Sequence, residues 1–305
     1  MTSSKLSRRD LLKRAGALGA LTSAAPLISA CGGVTESSGG AKAGQSTLEA
    51  ARKAGTIRVG FANESPYDFA DSSGNLTGEA PTVARAILKQ LGVPNLEGVL
   101  TTFDSLIPGL QAKRFDIVAA GMFITPERCQ QILFSNPDYA APEALAVPTG
   151  NPKHLTNYQD VAKSGATLGV LSGAVEGDLA KSAGVKPSQI KTFSDQVSMI
   201  EGLKAGRADA ISLTSISLRQ AIKTSGGGKV EMPTPFFPVV NGKKQIGAGG
   251  YGFRRDDTAF RDAFNQKLKA LQDQNGILPL IQKFGFGKTE VDAATKLTAD
   301  QLCKG

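Results

Sequence analysis

Strand-like and helix-like segments alternate along nearly the whole chain beyond its N-terminal stretch, and this alternation limits the fold more than any other feature. Ser46 and Glu49 are spaced as a capping box opening a short helix, which Gly55 closes. Ile57–Phe61 then reads as a strand. Pro81 suits a first helical position, and Val83, Ile87, Leu88 and Leu91 recur at helical spacing until Gly92. A helix around Leu106–Gln111 leads into the apolar strand Ile117–Ala120. Such alternation predicts an α/β fold, with parallel sheets covered by helices.

An internal echo suggests that the unit occurs twice. Leu106, Ile107, Gly109, Leu110, Ala112, Arg114 and Asp116 match Met199, Ile200, Gly202, Leu203, Ala205, Arg207 and Asp209, each pair sharing one offset of 93 residues. Val161–Thr224 repeats the alternation for a second lobe, and Phe260, Phe264, Leu268 and Leu271 mark a last long helix ending near Gly276. Ala144–Gly150 and the glycine-rich Ile246–Gly252 read as two extended crossings. Two lobes joined by two crossings make a hinge, with a ligand cleft at the strand ends.

The first thirty residues stand outside this pattern. Arg8, Arg9, Lys13 and Arg14 precede an apolar stretch, Ala15–Ile28, and then small residues before Cys31. This is the layout of a secretory signal. The apolar part is shorter than the roughly 20 residues of a membrane span. Ser7–Lys13 resembles the twin-arginine export motif. Ile28-Ser29-Ala30-Cys31 resembles a bacterial lipobox, in which Cys31 becomes the lipidated first residue of the mature chain. Residues 1–30 are therefore expected to be a signal peptide, and residues 31–46, rich in Gly and Ser, a flexible tether.

Removing the signal takes +4 from the formal charge of +8. The modest remainder gives no case for a nucleic-acid partner, which usually requires a clustered basic stripe. Cys129 and Cys303 are the cysteines left, and in an oxidising compartment such a pair reads as a disulfide. No CxxC or Cys/His cluster suggests a metal site, and no cofactor is expected. Gly247–Gly252 satisfies G-x-G-x-x-G, but Asn241–Lys244 precedes it and no helix start follows, so it reads as a flexible crossover rather than a dinucleotide fingerprint. His154, the sole histidine, lies in a loop-like segment with no triad pattern around it, and no enzyme is expected.

Phe115–Arg128, Phe134–Tyr139 and Gly249–Phe253 strongly resemble the signature of polar-amino-acid-type solute-binding proteins of ABC importers. The resemblance spans Leu48–Gly287. It implies the bilobal type II periplasmic-binding-protein fold, a monomer with its ligand between the lobes. The expected lobes are 47–146 with 248–305, and 147–247. It also implies a permease and ATPase as partners, and a lipid-anchored position outside the cytoplasmic membrane. Thr125 suits an N-cap and Pro126 a first helical position, so Arg128 would project from a short helix, its guanidinium fork matching a solute carboxylate. Family chains usually return their C-terminus to the first lobe, which implies the Cys129–Cys303 pairing.

Within this family, Phe61–Tyr67 and Thr77–Pro81 are most similar to the ectoine/hydroxyectoine-binding proteins. That likeness implies Glu64 as the carboxylate for a delocalised cation, with Tyr67, Phe103 and Phe123 as its aromatic cage. Each cation–π contact is worth about 0.5–2 kcal/mol. Gly173 and Ala174 stand at the turn where the family offers backbone N–H groups to the solute's carboxylate. Amino-acid binders usually place an aspartate after the second-lobe strand to meet an ammonium, whereas Ala210–Thr214 offers only hydroxyls. The expected ligand is a small zwitterionic solute, ectoine or hydroxyectoine. A polar amino acid or another compatible solute is the alternative, and a dehydratase-like enzyme on the same fold a more distant one.

Overall fold

The structure, a computed structural model, describes residues 46–240 and 242–304. The expected signal peptide, nearly all of the tether and the lipidation site at Cys31 lie outside the described residues.

Apolar β-rich segments build two five-stranded sheets. In the first, β1 (Thr56–Phe61) lies between β2 (Asn95–Leu100) and β3 (Ile117–Val118), parallel to both. The short β12 (Gly252–Phe253) joins antiparallel between β3 and β4 (Leu133–Phe134), giving the order β2-β1-β3-β12-β4. The second sheet has the order β8-β7-β9-β6-β10, from Ile190–Phe193, Leu168–Leu171, Ala210–Thr214, Glu143–Pro148 and Val230–Glu231. In it β7 runs parallel to β8 and β9, while β6 is antiparallel to β9. Helices cover both sheets, and each buries one apolar stripe. Glu79–Gln90, for instance, buries Val83, Ala84, Ile87 and Leu88.

The echo corresponds to a shared supersecondary unit. Helix Leu106–Gln111 leads into β3, and helix Gln196–Lys204 leads into β9, the middle strand of each sheet. Each helix carries a glycine under an aromatic ring. A Cβ at Gly109 would stand 2.7 Å from Phe115, and one at Gly202 would stand 2.4 Å from Phe193.

The first crossing differs in place from the sequence expectation. Ala144–Gly150 is not a free crossing, because Glu143–Pro148 belongs to the second sheet, and the expected boundary at 146–147 falls inside that strand. The first crossing is instead β5 (Tyr139–Ala141), which pairs antiparallel with β11 (Gly247–Gly249), inside the expected second crossing, as a ribbon between the sheets. The glycine run is a crossing in part built as paired strand, and two of its glycines make room for aromatic rings: a Cβ at Gly247 would lie 1.9 Å from Phe123, and one at Gly249 would lie 2.1 Å from Tyr139. The helix expected to open at Pro81 begins at Glu79.

Cys129 and Cys303 are joined by a disulfide, with Cα atoms 5.6 Å apart. It ties the C-terminal helix Ala299–Leu302 to the short helix Pro126–Cys129.

Candidate functional site

Parallel strands gather their C-terminal ends along one line, and the loops that follow them face each other across a cleft. Glu64 and Tyr67 follow β1, Phe103 follows β2, and Gly121, Phe123 and Arg128 follow β3. From the second sheet come Ala174 and Glu176 after β7, and Thr214 at the end of β9. All of these residues line one cavity. The walls enclose about 310 Å³, open solvent included, and the two lobes touch across the cleft: Arg128 donates to the Gly173 carbonyl and the Tyr67 hydroxyl meets Thr214 Oγ1.

Arg128 is held as the motif implies. The Thr125 hydroxyl caps its helix, accepting from the Arg128 N–H, and Pro126 occupies the first turn. The side chain is 8 % exposed, which rules out a surface ion pair. Nη1 donates to the Phe123 carbonyl at 2.7 Å and Nη2 to the Gly173 carbonyl at 2.9 Å, while the guanidinium lies 5.4 Å from the centre of the Phe103 ring. Among the described residues no carboxylate stands within ion-pair distance of it. Burial lowers its pKa to about 10, which leaves it charged at neutral pH. A buried cation held by carbonyl oxygens alone is a site for an incoming anion.

Glu64 faces the same cavity. Burial raises its carboxyl to about 7, although a hydrogen bond from Ser217 Oγ to its Oε1, at 2.6 Å, favours the charged form. Tyr67 is 2 % exposed and packs on Tyr139 and Phe286, with ring centres 5.0 and 5.5 Å away. Its hydroxyl lies 2.8 Å from Thr214 Oγ1, so it serves both as wall and as a link between the lobes. Its ring also explains Gly121, where φ is +57° and a Cβ would stand 2.5 Å from Tyr67 Cδ1. A hydroxyl-bearing residue there would collide with the tyrosine.

The remaining expected residues divide. Phe123 forms part of the wall, packed toward Tyr139 with ring centres 6.1 Å apart. Phe103 also lines the cavity, but its face is turned to Arg128. Ala174 lines the cavity, whereas Gly173 does not and enters through its carbonyl, which accepts from Arg128. Its φ of +75° and a Cβ position 2.6 Å from Asp104 Cα require glycine.

Glu176 is a lining residue to which the sequence assigned no role. Glu176 is 4 % exposed, and its Oε2 is buried without a hydrogen-bond partner. Burial, with repulsion from Glu64 adding to it, raises its carboxyl to about 8 against the pull of Arg128. Glu143, also buried, is raised in the same way, with Glu176 and Glu64 as its repelling neighbours. In sequence Glu176 reads as an ordinary acid in a first helical turn. Among the described residues no group of side chains could hold a metal ion, and no helix is long and apolar enough to cross a membrane.

Two α/β lobes, two linking strands and a cleft at the strand ends define a type II periplasmic-binding-protein fold. Residues 57–288 match the bacterial extracellular solute-binding proteins, family 3, and the chain belongs to that family. A probable amino-acid ABC transporter periplasmic-binding protein, y4tE of Sinorhizobium fredii, is 36% identical over 264 residues, which make up 86% of this chain and 87% of that protein. The lysine/arginine/ornithine-binding periplasmic protein of Escherichia coli is 29% identical, over 75% of this chain and 87% of its own length. Among solved structures, EhuB in complex with hydroxyectoine superimposes with a TM-score of 0.77 at 35% identity, covering 84% of this chain and 97% of EhuB. The ancestral amino acid-binding protein AncCDT-1, a precursor of cyclohexadienyl dehydratase, gives 0.68 at 30% identity, covering 78% of this chain and 99% of its own. The chain is thus a solute-binding protein of the amino-acid ABC transporter type.

Proposed function

We propose that the chain is the lipid-anchored, monomeric solute-binding protein of an ABC importer, and that it takes ectoine or hydroxyectoine between its lobes. One observation carries the reading: a single cavity brings together Glu64, Arg128, Tyr67, Phe103 and Phe123. Arg128 pairs with the solute carboxylate, and Glu64 with the amidinium. Phe123 and Tyr67 supply aromatic faces, while Phe103 steadies the guanidinium. The structural likeness to EhuB with hydroxyectoine supports this choice of solute. Calorimetric titration with ectoine, hydroxyectoine and a panel of amino acids tests it. Micromolar or tighter binding of the first two is expected, and selective binding of an amino acid overturns the assignment. Attachment through Cys31 is tested by metabolic labelling with a fatty acid, which Cys31→Ala should abolish.

A second reading is favoured by Glu176. Its unpartnered buried oxygen could meet an α-ammonium that Thr214 cannot, which would suit a polar amino acid. In that case Glu176→Gln weakens amino-acid binding, with no comparable effect on ectoine.

A further inference from the structure

The contacts of the cleft with a solute leave Gln196 and Ser217 unexplained. Both are buried, and both belong to the second lobe: Gln196 begins the helix Gln196–Lys204, and Ser217 stands in the first turn of Ser215–Thr224. Gln196 Nε2 donates to Ser217 Oγ at 2.7 Å and to the Ser65 carbonyl at 2.7 Å. With its lone pair engaged by Gln196, the Ser217 hydroxyl donates onward to Glu64 Oε1 at 2.6 Å. The chain of bonds has one direction, from amide to hydroxyl to carboxylate, and it spans the lobes twice within two neighbouring residues, at Ser65 and Glu64.

The loop that receives these bonds is itself fixed. Asp68 Oδ1 accepts from the Ala62 and Glu64 N–H groups, and Tyr67 N–H donates to the Glu64 carbonyl. Beside the relay, Thr214 Oγ1 caps the helix by accepting from Ser217 N–H and meets the Tyr67 hydroxyl. The backbone of Ser217 is therefore placed independently of its side chain.

We propose that Gln196 and Ser217 are positioning residues for the solute's cation: a two-step hydrogen-bond relay that closes from the second lobe, takes Oε1 of Glu64 and leaves Oε2 for the solute. This rests on the reading of Glu64 as the cation's partner. The relay matters because burial opposes the ionisation of Glu64 and the Ser217 donor favours it. The titratable groups facing Glu64 are Asp68 and Tyr67 on its own loop and Glu143 and Glu176 from the second lobe, and the Glu64 charge raises each of them in turn. Arg128, lining the same cavity, is the one opposing charge among the lining residues. The donor comes from the second lobe, so the lobe contact seen here makes Glu64 a better anion. Closure and cation recognition then favour one another.

The test has two arms. In the solute-free full chain, carboxyl carbon NMR follows the titration of Glu64. Ser217→Ala should move its midpoint upward by ~0.5 or more, because a donor to the charged form is lost. Gln196→Leu should move it in the same direction, and Ser217→Thr should restore it. In calorimetry with ectoine, Ser217→Ala should weaken binding by about tenfold, the scale of a charge-assisted hydrogen bond. In a Glu64→Ala background the same change should cost less than twofold. A midpoint that stays put, or an equal loss with and without Glu64, overturns the relay. If the parent fails to bind ectoine while the midpoint still moves, the assigned solute falls and the relay stands.

Discussion

Arg128 shows how a single buried residue sets the chemistry of the cleft. Its two outer nitrogens are satisfied by the carbonyls of Phe123 and Gly173, one on each side of the cleft, so the guanidinium is oriented without being neutralised. Removing it leaves both a solute carboxylate and two carbonyls unmatched. Breaking a buried charge pair costs about 3–5 kcal/mol. Arg128→Ala should therefore lower solute affinity by at least about a hundredfold. Arg128→Lys should recover little, since an ammonium cannot present two parallel donors. Titration of each variant checks both statements, and circular dichroism checks that the fold persists. Affinity equal to the parent's in the alanine variant would remove Arg128 from the site.

At the scale of elements, the ribbon between the lobes is where packing and site meet. Gly247 N–H and C=O belong to a strand paired with Tyr139–Ala141, and its Cα rests on the Phe123 ring. Gly247→Ala places a methyl where Cε2 of Phe123 now lies, at 1.9 Å, so the ring must move out of the wall. Overpacking of this kind costs about 1–3 kcal/mol. We expect a lower melting temperature and a several-fold weaker solute, with binding less affected in a Phe123→Leu background. Much of the fold was legible at this scale. The strand and helix periods are local, and the offset of 93 residues between Leu106–Asp116 and Met199–Asp209 marked the repeated unit. The place of the first crossing was not legible, because Tyr139–Pro148 is apolar or small almost throughout and a change of sheet leaves no mark in such a run. Gly247 and Gly249 read as freedom when they are space for rings. That Glu64, Tyr67, Phe103, Phe123 and Arg128 would face one cavity was legible through a motif. The places of Glu176, Ser217 and Gln196 were not, since each stands in an ordinary helix first turn and the groups it faces across the cleft come from the other lobe.

Over the whole molecule, two features lie beyond any one element. The disulfide joins residues 174 positions apart and fastens a tail whose helices bury few side chains. Cys303→Ser should lower stability by about 2–4 kcal/mol, read from denaturant unfolding, with little effect on solute affinity. The second feature is a set of buried carboxyls whose pKa values all rise on folding. Burial is the first cause at Asp68, Glu79, Asp138 and Glu143, as it is at Glu64 and Glu176, which reach about 7 and about 8. Glu79 is the plainest case, with both oxygens buried and unpartnered, and after burial the charge of Asp138 raises it most. A raised carboxyl holds its proton in the folded chain after the unfolded chain has released it. The folded state then binds more protons, and stability falls as pH rises through the folded values. The exposed aspartates Asp71 and Asp104 and the half-buried Asp160 are lowered instead and lose their contribution as pH falls below about 4. The solute-free chain should therefore be most stable near pH 4–6, with a melting temperature that declines steadily from pH 6 to pH 9. Glu79→Gln cannot ionise and should flatten part of that decline, matching the parent at pH 5 and exceeding it at pH 8. A cationic solute that pairs with Glu64 should steepen its own stabilising effect over the same range, because it binds the ionised form. Thermal unfolding at closely spaced pH values, with and without ectoine, measures all three slopes, and a parent that grows more stable from pH 6 to pH 9 would contradict the buried-carboxyl account.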